Sequence, residues 1–231
     1  MSEFQKLLVD VRTALEQGSG EERTAAHEVA APVPATPAAR RAELGSRFVR
    51  ELEAVNGRII EVASAGDAIE KIAALARELK AKSALSAEAL TADLAWLNAE
   101  LERHGLEIIR TGPVARDELT RMRRHTARCD LGIIEADYAI AASGTIALIA
   151  NAMRPRSVSL LPPISIIILH IDRILPDLAT LMRTVGPEVV SNNPMVLITG
   201  PSRTADIEKR IVLGVHGPKE LYVVLIWPKH E

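Results

Sequence analysis

Apolar residues change their period several times along this chain. Between Met1 and Glu16 (MSEFQKLLVDVRTALE), Phe4, Leu7, Leu8, Val11 and Leu15 fall at helical spacing and predict an amphipathic helix. Gly18, Ser19 and Gly20 end it. From there to Ala42, Pro32, Pro34 and Pro37 stand among alanines without periodicity, which reads as an extended linker. The apolar face of that first helix needs a partner, either its own domain or another subunit. The expected organisation is a helix and Ala/Pro-rich linker over residues 1–40 and one α/β domain over residues 41–231.

Beyond Arg40 helical and strand patterns alternate. The spacing predicts helices over Glu43–Ala54, Asp67–Lys80, Glu88–His104 and Arg116–Thr126, with short strands at Arg58–Ala63, Ser83–Ala87 and Leu106–Arg110 between them. The second half is richer in strands: Leu131–Ile134, Ile140–Ala150, Val158–Leu161, Ile164–His170, Met195–Thr199 and Leu221–Trp227. Helices are expected at Pro176–Val185 and Thr204–Leu213. Ile164–Leu169 is apolar but for Ser165, as a strand covered on both faces should be. This alternation predicts an α/β fold, a mostly parallel sheet with helices on both faces in three α/β/α layers.

Composition narrows the chemistry. The 28 basic and 30 acidic residues nearly cancel, leaving no overall positive field for nucleic acid. Phe4, Phe48, Trp96, Tyr138, Tyr222 and Trp227 are all the aromatics, too few for a row of base-stacking platforms. The lone Cys129 forbids an intrachain disulfide, fits a reducing compartment, and cannot by itself hold an iron–sulfur cluster. The first residues carry Glu3 and Asp10 and no small-residue cleavage site, unlike a secretory leader. The most apolar stretch, Ser157–Ile171, falls short of the roughly 20 residues of a membrane helix, and Pro162-Pro163 splits it. A cytoplasmic protein without a membrane span is the expectation. His125 with Cys129, and His170 with Asp172, are the nearest approaches to metal-ligand spacing, and neither completes a site. No metal or other cofactor is expected.

Three segments concentrate polar turn chemistry between apolar runs. In Gly132–Ala150 (GIIEADYAIAASGTIALIA), Glu135 and Asp137 follow a strand, and Ser143-Gly144-Thr145 interrupts another. A glycine there signals a bulge or a close approach to the backbone, and the hydroxyls either bond a ligand or satisfy local backbone. In Thr199–Ile211 (TGPSRTADIEKRI), a strand runs through Gly200 into a helix predicted near Thr204. Ser202 or Thr204 would cap that helix, and Arg203 beside its free N–H groups would suit a small anion. Asp206 and Glu208 in the same first turn oppose a polyanion. In Gly214–Ile226 (GVHGPKELYVVLI), His216 lies between glycines ahead of Lys219, as a general base, a ligand contact or a turn residue. Neither G-x-G-x-x-G, nor a P-loop, nor G-x-S-x-G occurs.

The order G-I-x-E-A-D-x-x-I-A-x-S-G-T, Leu-Leu-Pro-Pro, T-G-P-S-R-T-A-D-I-E and G-V-H-G-P-K-E-L resembles the lactate-utilisation protein C family, the LUD domain, over roughly Leu52–Trp227. The resemblance implies the fold of the sugar-phosphate isomerase and CoA-transferase group. It also implies a role in a bacterial three-component system oxidising L-lactate to pyruvate, in which partner proteins carry the iron–sulfur clusters. Relatives often place an acid immediately before S/T-G-T. Here that position is Ala142, which leaves Glu135, Asp137 and Asp206 as nearby acids and weakens any covalent-carboxylate mechanism.

Three functions follow as alternatives. The first is a cluster-free accessory or ligand-binding subunit that works with iron–sulfur protein partners and a small anionic metabolite. Its pocket would comprise Ser143, Gly144, Thr145, Gly200, Ser202, Arg203, Thr204, Asp206, His216 and Lys219. The second is a freestanding enzyme acting on a phosphorylated or CoA-linked metabolite, with Glu135 or Asp137 as acid/base and His216 as its partner. The third is a scaffold without pocket chemistry.

Overall fold

The computed structural model describes residues 37–87, 90–112, 126, 128–205, 211–213 and 217–228. The expected N-terminal helix and nearly all of its linker, and all but the last residue of the helix expected over Arg116–Thr126, lie outside the described residues. The fold is α/β, with a six-stranded sheet whose strand pairs are all parallel.

Helix α1 (Ala38–Ala54) places Leu44, Phe48 and Leu52 four residues apart, and all three are buried. Its chain reverses through Asn56 at φ 63°, and the Gly57 N–H returns to the Leu52 carbonyl at 3.0 Å. Strand β1 (Arg58–Val62) follows, then helix α2 (Ala65–Glu78). Ser64 caps α2 by accepting the Asp67 N–H at 3.1 Å, relieving one of the unpaired donors at the helix start. Strand β2 (Ser83–Ser86), a 3₁₀ turn at Ala92–Leu94, helix α3 (Leu97–Arg103) and strand β3 (Glu107–Arg110) complete the first half. The helix expected over Glu88–His104 is therefore realised only from Leu97 onward.

The second half comprises β4 (Leu131–Glu135), β5 (Tyr138–Ile140), β6 (Thr145–Ile149), α4 (Ser157–Leu160) and β7 (Ile164–His170). It continues with β8 (Ile174–Leu175), α5 (Leu178–Asn192), β9 (Met195–Ile198), β10 (Arg203–Ala205), β11 (Ile211–Leu213) and β12 (Glu220–Ile226). The main sheet runs β1-β12-β7-β4-β2-β3, and a second sheet runs β8-β5-β6-β9.

Helices α2 and α3 cover one face of the main sheet, burying Ile69, Ile72, Leu97 and Leu101 against Ile166 and Val224. On the opposite face, Phe48 and Leu52 of α1 share one core with Ile146 and Leu148 of the second sheet and with Ile167 and Val223. Helix α5 then covers the outer face of the second sheet, where Leu181 and Val185 meet Tyr138 and Ile149. Ser165 aside, the interior of β7 is apolar, as the continuous run required of a strand covered on both sides.

Three local expectations are corrected. Ile140–Ala150 is not one strand: Gly144 at φ 60° turns the chain, so that β5 and β6 pair antiparallel. Val158–Leu161 falls in helix α4 rather than a strand, because Gly132 of β4 has no side chain and lets the Val158 carbonyl lie against it. Four residues are too few for a period to separate helix from strand. The helix expected over Thr204–Leu213 is replaced by the antiparallel pair β10–β11, with Arg203 opposite Leu213. Ile211, Val212 and Leu213 suit a strand, and cross-strand pairing overrode the helical spacing.

Candidate functional site

In an open parallel sheet the carboxyl ends of the strands are where ligands gather. Strand β4 ends there at Glu135 and β7 ends at His170, while Trp227 follows β12 and donates its N–H to the Val62 carbonyl at 2.8 Å. Glu135 is 6% exposed, and its carboxylate accepts the Thr91 N–H at 2.9 Å and the Thr91 hydroxyl at 3.0 Å. The same Thr91 hydroxyl lies 2.6 Å from Asp93, so its one proton is shared between the two acids and Thr91 ties them together. His170 Nε2 lies 3.6 Å from Glu135 Oε1 and 3.7 Å from Asp93 Oδ2, and this buried nitrogen makes no hydrogen bond. A histidine faced by carboxylates is the arrangement of an oriented proton donor or acceptor, and such contacts are often loose before a ligand arrives.

His170 also lines a cavity of about 250 Å³, walled by Ala38, Arg41 and Ala42 of α1 and by Asp172, Ile226 and Trp227. Gly45 is what lets α1 lie so close. A Cβ there would strike Ile171 and come within 3.2 Å of the Trp227 ring. The Arg41 guanidinium makes no ion pair among the described residues.

Behind this edge sits a buried ion pair. Arg154 Nη1 donates to Asp137 Oδ1 at 2.7 Å, and its second terminal nitrogen donates to the Glu135 carbonyl. The Ile149 N–H completes the cage on Asp137 Oδ2 at 2.7 Å. Asp137 is thereby engaged in holding the β4–β5 connection, whereas Glu135 turns its carboxylate toward Thr91 and His170.

Ser143, Gly144, Thr145, Gly200, Ser202 and Lys219, also singled out in the sequence, gather at the other edge. Ser143 and Thr145 hydroxyls are 2.7 Å apart, and Thr145 reaches the Thr199 hydroxyl at 2.8 Å. The glycines beside them accommodate α1. A Cβ on Gly144 would overlap the backbone at Glu51 and Leu52, and one on Gly200 (φ 85°) would sit 2.7 Å from the Val55 carbonyl oxygen. The Ser202 N–H donates to the Pro218 carbonyl at 2.9 Å, and the Lys219 N–H donates to the Pro163 carbonyl at 2.7 Å. Three turn motifs distant in sequence therefore meet at the amino ends of β7 and β12.

Glu135 pairs with Ile168 of β7 while Glu220 pairs with Ile164, four residues earlier. At ~3.3 Å per residue, Glu135 stands about 13 Å along the strands from the Lys219 end. The structure thus separates the acids from the hydroxyl and glycine motifs. Arg203 and Thr204 belong to β10, not to a helix start, so the anion site expected at a helix N-terminus is not formed there. Asp206 and His216 lie outside the described residues. Sequence reasoning missed Arg41, Thr91, Asp93 and Arg154, and weighed His170 only as a metal ligand. The available signal was a histidine closing a strand that is apolar but for Ser165, the position where a parallel sheet presents its carboxyl edge.

The sequence matches the LUD domain over residues 45–226. The chain belongs to the LUD domain family. Among curated relatives, "Lactate utilization protein C" of Halalkalibacterium halodurans is 36% identical over 110 residues, covering 46% of this chain and 48% of the relative. "Lactate utilization protein C" of Macrococcus caseolyticus is 42% identical over 103 residues, covering 42% and 45%. "Uncharacterized protein YkgG" of Escherichia coli is 40% identical over 100 residues, covering 41% and 43%. The chain spans about half the length of the curated relatives it matches. A crystal structure of a DUF162 family protein from Deinococcus radiodurans superposes with a TM-score of 0.59 at 23% identity, covering 81% of this LUD domain chain and 98% of that one. That likeness shows the fold.

Proposed function

We propose that this LUD domain protein serves L-lactate utilisation as a cluster-free accessory or ligand-binding subunit of a lactate-oxidising system. The observation that carries the reading is the identity shared with relatives named lactate utilization protein C. With Cys129 as its one thiol, the chain leaves electron-carrying clusters to iron–sulfur partner subunits. Residues 1–40, with the apolar stripe Phe4, Leu7, Leu8 and Val11, serve assembly with those partners.

The test is deletion of the gene followed by growth on L-lactate as sole carbon source. Loss of growth, restored by the wild-type chain, and co-purification of an iron–sulfur protein with the tagged chain are expected. Undiminished growth and no such partner would overturn the reading. The contact between His170 and Glu135 favours a second reading, an acid–base enzyme acting on a phosphorylated or CoA-linked metabolite. It requires turnover by the purified chain alone, abolished by Glu135→Gln.

A further inference from the structure

The edge strands of a sheet expose unpaired N–H and C=O groups, and proteins guard them with charge, brevity or a covering element. The main sheet is guarded in this way. Its edge strands are β1, which carries Arg58 and Glu61, and β3, which carries Glu107 and Arg110. In the second sheet, edge strand β8 is only two residues long. Edge strand β9 has neither protection. It reads Met-Val-Leu-Ile, and no charged residue stands between Glu188 and Arg203. Leu197, inside this strand, is 43% exposed.

The register decides which groups of β9 are free. The Ala150 N–H donates to the Pro194 carbonyl at 2.9 Å, so by alternation Val196 and Ile198 direct their main-chain groups to β6. Met195, Leu197 and Thr199 turn theirs outward, where no strand pairs with them among the described residues. Leu197 is the centre of that trio. A two-fold axis through it sets Leu197 opposite Leu197 of a second copy and Met195 opposite Thr199, and each outward N–H then meets an outward carbonyl. The exposed Leu197 side chains come to lie beside each other on one face. An uncharged edge that is its own complement suits an identical strand. The Ala/Pro-rich linker of this chain suits it poorly, because Pro32, Pro34 and Pro37 have no N–H to offer. We propose that β9 is a homodimer interface, through which two copies join their second sheets into one. This goes beyond the lactate reading and does not depend on it.

Sedimentation equilibrium of the full chain tests the proposal. A concentration-dependent dimer is expected. Leu197→Lys sets like charges against each other and should weaken association by about tenfold or more, while the circular dichroism spectrum stays that of the wild type. Cross-linking tests the register separately. Opposed Leu197 Cα atoms stand about 5.5 Å apart, within reach of a disulfide, so Leu197→Cys should give a covalent dimer on air oxidation. The two Met195 positions lie about 13 Å apart, so Met195→Cys should not. Cys129 is buried and does not compete. The proposal is overturned if the chain stays monomeric up to millimolar concentration, or if Leu197→Lys associates as tightly as the wild type. It is equally overturned if Met195→Cys cross-links as readily as Leu197→Cys. A monomeric wild type whose Leu197→Lys variant loses an iron–sulfur protein on co-purification would also overturn it, since the edge would then pair with that protein instead.

Discussion

Replacing Arg154 by methionine should be among the most damaging single changes in the described structure. The Arg154 and Asp137 side chains are 8% and 2% exposed, with the charged atoms 2.7 Å apart. Methionine keeps much of the buried volume but takes the Arg154 charge away from the buried Asp137 carboxylate. Breaking a buried pair in this way costs about 3–5 kcal/mol. Against a total stability of about 5–15 kcal/mol that is a large fraction. At roughly 2–4 °C per kcal/mol for a chain of this size, the melting temperature should fall by about 6–20 °C. Urea unfolding followed by circular dichroism gives the free energy directly. Arg154→Met with Asp137→Asn removes both charges, and the double variant should be more stable than the sum of the single losses predicts, with a coupling of roughly 0.5–3 kcal/mol. The reasoning is refuted if Arg154→Met costs less than about 1 kcal/mol, or if the two changes add without coupling. The pair also clamps the Glu135 carbonyl through the second terminal nitrogen of Arg154.

Other consequences are open to the same scrutiny. Gly144→Ala adds a Cβ at φ 60° and overlaps the α1 backbone, so a loss of about 2–5 kcal/mol is expected by denaturant titration; a change under about 0.5 kcal/mol would contradict the packing. Burial opposes ionisation of Asp130, but the N–H groups of Lys82 and Ser83 and the Ser83 hydroxyl outweigh it and hold its carboxyl below 3.8. A group whose folded value is depressed stabilises the fold above its unfolded value and loses that contribution as pH falls through the folded one. Asp130→Ala should therefore destabilise at neutral pH and flatten the stability profile below about pH 4; an unaltered acid profile counts against the assignment. Burial, reinforced by Asp130, pushes the Cys129 thiol from 9.0 up to about 11, so alkylation at pH 8 should run about a hundredfold slower in the folded chain than in urea. Equal rates would show that the thiol is reactive in the native state.

What the sequence determined by itself was the set of elements whose signal is local and long. The helix expected over Glu43–Ala54, the strand beginning at Arg58, and the apolar run of β7, broken only at Ser165, are each readable within a dozen residues. Their alternation implies a parallel sheet, and the motifs from Gly132 to Leu221 carry the family. Short segments were less legible, because a few residues satisfy helix and strand periods alike; α4 and the β10–β11 pair were decided by what packs or pairs against them.

Of the site, the sequence offered Glu135 as an acid; its surroundings belonged to tertiary structure. Ser143, Gly200 and Lys219 drew attention because glycines and hydroxyls are conspicuous in apolar runs, yet the glycines Gly144 and Gly200 make room for the backbone of α1. Glu135 and His170 are separated by a whole crossover in sequence and brought to 3.6 Å because parallel strands end on the same edge. Arg41 reaches the same cavity only because α1 lies over that edge, held close by the missing side chain of Gly45. Period and propensity act between neighbours along the chain, whereas burial and charge act between neighbours in space, and only the folded sheet defines the second kind.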